Sequence, residues 1–244
     1  VTDLDYVHWP IDLLPAQSVP FNPVPFTRSG GRSLGGIARY TRTDKGFWQG
    51  SLNGITFRRG QQFDQAREWT KIRTYLNGQA GLLVVPVCST RLLASPPTWS
   101  DFSPGLYPHD DETTFEDDTE YYEGVTKVEM ATTAPLGATV VRLRLISAPT
   151  VQGIRFSYQH AMYETGAMIE QIGDDEFRVP IFPAIRQEIP ADAWLETDQP
   201  TILCRLASDS EMDIEFPPAN MPRPSINLVE AVDVWSDLAL EAAA

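Results

Sequence analysis

Short stretches rich in β-branched and aromatic residues, punctuated by glycine and proline, recur along most of the chain and predict a mainly β fold. Strands are expected at Leu34 to Thr43 and Phe47 to Phe57, where Gly50, Gly54 and Gly60 supply tight turns of a meander. One helix follows. At 100° per residue Ala66, Trp69, Ile72, Tyr75 and Leu76 share a face opposite Arg67 and Lys71, and Gly78 supplies the stop, so the helix is placed at 66–77. Leu82 to Val87 is an apolar run containing Pro86 and reads as a buried strand for that helix to pack on. Further strands are expected at Val125 to Met130, Thr139 to Ile146, Gly153 to Tyr158, Gly166 to Ile172, Phe177 to Phe182, Thr201 to Leu206 and Ile226 to Val232. That spacing belongs to a sandwich or barrel rather than to alternating βα units, and Gly173-Asp174-Asp175 reads as a hairpin turn.

Three segments stand outside this pattern. Residues 1–32 carry Pro10, Pro15, Pro20, Pro23 and Pro25 among Tyr6, Trp9, Phe21 and Phe26, and read as an extended arm that prolines keep out of a sheet interior. Its apolar surface needs burial, on its own domain or on a neighbouring subunit, and contacts beyond its own core, on an adjacent subunit, are expected to be the main ones that order it. Residues 109–123, HDDETTFEDDTEYYE, form a long acidic loop expected to stay solvated at a surface between subunits or facing a lumen. The segment from Val232 to Ala244 fits a short helix or a frayed tail, and 233–244 is treated as a C-terminal tail. A single β-sandwich domain, 33–232, remains between arm and tail.

The chain of 244 residues has 19 basic and 33 acidic residues and a net charge of −14, which argues against a phosphate-tracking nucleic-acid surface. No signal peptide is read in Val1 to Gln17 and no apolar run approaches a membrane span, so a soluble protein is expected. Cys88 and Cys204 are expected to be buried thiols in a reducing compartment.

Candidate chemistry is sparse. Gly50-Ser51-Leu52-Asn53-Gly54 places its serine one position early for a nucleophile elbow, and the Gly30 to Gly36 cluster fits neither phosphate-loop pattern and reads as a flexible turn. His8, His109 and His160 lie far apart in sequence without metal spacing; His160 reads as a hydrogen-bonded residue at a strand end. Asp110, Asp111, Glu112, Glu116, Asp117, Asp118, Glu120 and Glu123 are hard oxygen ligands but lack the spacing of a calcium loop, and no carboxylate pair is fixed for glycoside hydrolysis. Trp69 reads as core, while Trp9, Trp48, Trp99, Trp194 and Trp235 share no sugar-binding motif. No catalytic, cofactor or metal residue is assigned, and no enzyme activity or cofactor is expected.

The order of elements in the second half carries a resemblance. Gly153-Ile154-Arg155-Phe156-Ser157, then Met162-Tyr163-Glu164, a hairpin, and Val179-Pro180-Ile181-Phe182-Pro183-Ala184-Ile185-Arg186 resemble a pattern in tail proteins of long-tailed bacteriophages and gene transfer agents. Cys204-Arg205-Leu206 and Leu228-Val229-Glu230-Ala231 resemble their closing strands, and Trp69 through Leu76, Gly81 and Val85-Pro86 are similar to their helix and buried strand. The resemblance spans roughly 33–232 and implies a virion structural protein of the distal tail: a tail-tube-like β-sandwich with one flanking helix. It implies a ring of copies of this chain, expected as a hexamer, joining the tube protein above to hub or fibre proteins below while DNA passes. Assembly would take place in the host bacterial cytoplasm, with neither sequence-specific nucleic-acid binding nor a membrane partner. The alternative is a lectin-like carbohydrate-binding sandwich, with surface tryptophans and calcium held by the acidic loop.

Overall fold

The computed structural model describes residues 5–32, 35–36, 38–58, 60–87, 127–147, 150–214 and 222–242. In chain order its elements are β1 (Val7–His8), β2 (Phe21–Arg32), β3 (Ala38–Leu52), α1 (Gln62–Leu76), β4 (Leu83–Pro86), β5 (Lys127–Met130), β6 (Val140–Ser147) and β7 (Arg155–Tyr158). There follow β8 (Ala161–Thr165), β9 (Glu170–Gln171), β10 (Glu176–Phe182), β11 (Trp194–Leu195), β12 (Thr201–Leu206), β13 (Ile226–Glu230) and α2 (Val232–Ala242).

The strands form two sheets. The first runs β1-β4-β12-β13-β3-β2, with β1 parallel to β4 and every other pair antiparallel. The second runs β11-β5-β6-β10-β8-β7, with β9 beside β10. Glu196, immediately after β11, exchanges backbone hydrogen bonds of 2.8 and 3.0 Å with Ser157 of β7, so the second sheet curls back on itself as a near-barrel. The expected β-rich, two-layered architecture is present.

Alternation along β4 and β12 explains how one sheet serves two cores. Leu83, Val85, Ile202 and Cys204 join Trp69, Ile72 and Leu76 of α1 in one buried cluster. Val84 and Leu203 point the other way, into a second cluster with Val128, Leu143, Phe156, Val179 and Ile181 of the near-barrel. A strand buried on both faces reads as a continuous apolar run, which is why Leu82 to Val87 was recognisable.

Helix α1 begins four residues earlier than the periodicity places it. Gln65 explains the extension: it is fully buried, yet its side chain accepts from the Arg58 N–H at 2.6 Å and donates to the Leu13 and Thr56 carbonyls. The helix closes on Asn77, in left-handed conformation (φ 46°), whose N–H donates to the Arg73 carbonyl; Gly78 only follows it. At Gly81 a Cβ would collide with the Leu76 backbone, so only glycine permits this tight return into β4.

Three further features correct the sequence reading. Residues 5–32 are not an arm set apart from the core: Trp9, Leu14 and Phe21 are buried, β1 adds to the edge of β4, and β2 pairs with β3. Pro23 and Pro25 are tolerated because β2 is an edge strand, and Pro10, Pro15 and Pro20 lie outside the strands. The two strands expected at 34–57 are one long strand, β3, in which Gly50 does not break pairing; it makes room for the Phe21 ring opposite. Of the strand expected at 166–172 only Glu170 and Gln171 pair, as β9, with Gly173-Asp174-Asp175 in the turn to β10 as read, while β8 is a strand that the sequence reading does not place. Of the two alternatives for Val232 to Ala244 the helix is the one present, as α2, whose Val234 and Trp235 are buried. The loop at 109–123 and Cys88 lie outside the described residues.

Candidate functional site

Beyond the first sheet β2 and β3 continue as a ribbon. The β13 partner of β3 reaches only Gln49 to Leu52, so among the described residues the strand partner of β3 from Phe47 back to Ala38 is β2. All residues from Pro25 to Arg32 and from Ala38 to Thr41 are exposed, on both faces of the ribbon. Gly31 and Gly36, both at positive φ, lie at its tip, where the glycine cluster was read as a turn. Across the strands Arg28 opposes Thr41, and Gly30 approaches the Arg39 backbone, so Arg28 and Arg39 share one face; Tyr40, 72% exposed, is on the other. Arg28, Arg32 and Arg39 make no recorded ion pair or side-chain hydrogen bond among the described residues. An isolated two-stranded hairpin is marginally stable in water. This ribbon therefore presents exposed arginines, and the exposed Tyr40 ring, beyond the first sheet.

At the base of the ribbon lies a buried polar node. Glu230, at the end of β13, accepts from Arg186 Nε at 2.9 Å, from Arg186 Nη2 at 3.1 Å and from the Trp48 N–H at 2.9 Å. Arg186 also donates through Nη2 to the Gly46 carbonyl at 2.6 Å, and its backbone N–H donates to the Tyr163 hydroxyl at 3.0 Å. The Trp48 indole donates to the Met162 carbonyl at 2.9 Å, and Arg155 stacks over the same ring with its guanidinium carbon 5.0 Å from the centroid. The node ties β3 and β13 to β8 and to the segment after β10. Above it a cavity of about 620 Å³ opens between Phe26, Phe47, Leu136, Ile185 and Trp235.

The structure also joins two histidines that are 152 positions apart. The two-residue turn between β7 and β8 uses Gln159 and His160 at φ 47° and 68°, the backbone of a primed hairpin turn that asparagine and glycine normally occupy. This turn sets His160 with Nδ1 2.9 Å from the Thr201 hydroxyl, Nε2 3.2 Å from the Tyr6 hydroxyl, and its ring 5.4 Å from that of His8. Burial, and secondarily the nearby His8, pushes His160 below its ordinary 6.5. A depressed value means the unfolded chain binds the proton more readily, so stability is lost as pH falls below 6.5 toward the lowered value. The melting temperature is expected to fall over that window, and His160→Gln to flatten the slope. An unchanged slope in the variant would show that this site does not carry the dependence.

The remaining candidates are dispersed. Ser51 lies in β3, paired with Asn227, and not on a strand-to-helix turn. Trp9, Trp48, Trp69 and Trp235 are buried, whereas Trp194 is 55% exposed; Trp99 and His109 lie outside the described residues. Among the described residues no group of three or more His, Cys, Asp or Glu is placed to hold a metal ion. No helix among them is long and apolar enough to cross a membrane. The exposed ribbon and the node beneath it are the features most distinct from a plain β core. No protein-family model matches the sequence, and comparison with curated proteins finds no match either.

Proposed function

We propose that the chain is a structural protein of a phage-type tail: a tail-tube-like β-sandwich that forms a ring at the distal end, joins the tube to hub or fibre proteins and lets DNA pass. The observation that carries this reading is the exposed β2–β3 ribbon, a two-stranded element that reaches beyond the first sheet and whose Arg28, Arg32 and Arg39 make no ion pair among the described residues. The two-sheet architecture with a helix on the outer face of the first sheet agrees with what the resemblance implies. A net charge of −14 suits a channel wall to which DNA should not adhere, because binding by phosphate neutralisation requires lysine and arginine. On this reading the protein acts by geometry, without a reaction, a cofactor or a metal.

Negative-stain images of the purified protein, with its mass in solution measured by light scattering, test the proposal. Closed rings with a central pore are expected. A monomer at all concentrations, or a monomer that captures glycans in a screen, sinks the ring and favours the carbohydrate-binding alternative.

A further inference from the structure

The ribbon concentrates positive charge in an acidic protein. Between Thr27 and Lys45 lie five of the chain's 19 basic residues and only one of its 33 acidic residues, Asp44. Three of them, Arg28, Arg32 and Arg39, are exposed on the described ribbon and make no recorded ion pair or side-chain hydrogen bond among the described residues. Exposed arginines with an aromatic neighbour suit a surface of carboxylates and flat rings, where guanidinium can both pair and stack.

Such a surface exists on the near-barrel of the same chain. Arg144 of β6 is surrounded by Glu176 at 3.1 Å, Asp192 at 3.1 Å, Glu129 at 3.4 Å and Asp175 at 4.0 Å. One guanidinium cannot neutralise four carboxylates, and the side chains of Asp175 and Asp192 are 57% and 72% exposed. Asp174 adds another exposed acid in the β9–β10 turn. Trp194, directly opposite Glu129 across the β11–β5 pair, provides an exposed ring beside them, with Lys127 Nζ 5.6 Å from its centroid.

We propose that the arginine face of the ribbon in one copy docks on the acidic face around Arg144, with Asp174, Asp175, Asp192 and Trp194, of a second copy. The proposal builds on the ring reading in one respect, that the partner is another copy of this chain. Charge complementarity selects that partner: among the described residues the chain itself carries both arginines without an ion pair and four carboxylates that share the one guanidinium of Arg144. Because two different surfaces meet, the contact is head-to-tail, and such contacts close into rings when the rotation between neighbours allows.

Charge reversal separates the possibilities. Arg28→Glu/Arg39→Glu and Asp174→Lys/Asp175→Lys change only exposed positions, and each variant is expected to melt as the parent does. Light scattering should show the parent assembling at low ionic strength and dissociating as salt screens the contact. Each variant alone should remain monomeric, since its ribbon and its acidic face now carry the same sign. An equimolar mixture should recover the parent's mass, because the reversed ribbon fits the reversed face and the two unaltered surfaces still fit each other. A parent that never assembles, a variant that assembles like the parent, or a mixture that stays monomeric each overturns the docking. So does ribbon-dependent binding of labelled duplex DNA without self-association. Closed rings that persist in Arg28→Glu/Arg39→Glu defeat the docking and leave the ring reading intact, whereas open chains restored by mixing support the docking and defeat the ring.

Discussion

Replacing Trp69 with alanine is expected to destabilise the protein by about 3–5 kcal/mol, the range for deleting a large buried aromatic side chain. The ring is 1% exposed, packs edge-on against Trp9 at 6.2 Å between centroids and lies 5.9 Å from Phe57. Its indole N–H donates to the Met212 carbonyl at 3.0 Å, so the substitution leaves a cavity and also strands a buried acceptor. Three segments distant in sequence meet at this side chain: the N-terminal turn through Trp9, the β3–α1 connection through Phe57, and the β12–β13 connection through Met212. Loss of the ring should therefore loosen all three together and be visible as a lowered midpoint in chemical denaturation. Arg67→Ala and Lys71→Ala, on the exposed face of the same helix, should change stability by no more than about 0.5 kcal/mol; the Lys71 side chain is 67% exposed, and its 3.0 Å pair with Glu68 is a surface pair. An unchanged midpoint in Trp69→Ala would remove α1 from the core.

What was legible in the sequence followed from local periodicity. The face Trp69-Ile72-Leu76, the run Leu82 to Val87 and the strand Thr201 to Leu206 all appear as read, because burial on a helix face or on both faces of a strand writes itself into consecutive residues. Edge positions were less legible. Pro23 and Pro25 argue against an interior strand and are silent about an edge, so β2 was read as an arm. Gln159-His160 lacks the glycine or asparagine that announces a primed turn, so the β7–β8 hairpin leaves no signal in the sequence, whereas the β9–β10 turn does, at Gly173-Asp174-Asp175. The candidate site was harder still, since its contacts join residues far apart: Arg186 to Glu230, Trp48 to Met162, His8 to His160. One signal was available for each of two features. A glutamate ending the apolar strand Ile226 to Glu230 calls for a buried partner, and five basic residues crowded around a glycine turn mark the ribbon in a chain otherwise dominated by acids.

Removing Glu230 should cost about 3–5 kcal/mol, the range for breaking one side of a buried ion pair. Its side chain is 1% exposed and that of Arg186 11%, so neither charge has water to fall back on. In Glu230→Ala the guanidinium loses two acceptors, keeping the Gly46 carbonyl, and the Trp48 N–H loses its side-chain acceptor at the point where the ribbon leaves the sheet. The intact pair is nonetheless not a large source of stability. Burial pushes the Glu230 carboxyl above its ordinary 4.5, and the attraction of Arg186, with the hydrogen bonds from Arg186 and Trp48, offsets that only in part. A raised value means the folded state holds the proton more tightly than the unfolded chain, so the contribution of this group is fully present below 4.5 and declines as pH rises through the raised value. The stability advantage of the parent over Glu230→Gln should accordingly shrink with rising pH across that window. Replacing both partners, Glu230→Leu with Arg186→Met, should cost much less than the sum of Glu230→Leu and Arg186→Met made singly, because no uncompensated charge remains buried. A double-mutant cycle by urea unfolding measures the coupling. If the two single losses simply add, the charges do not depend on one another, and the node does not hold the two sheets in register beneath the ribbon.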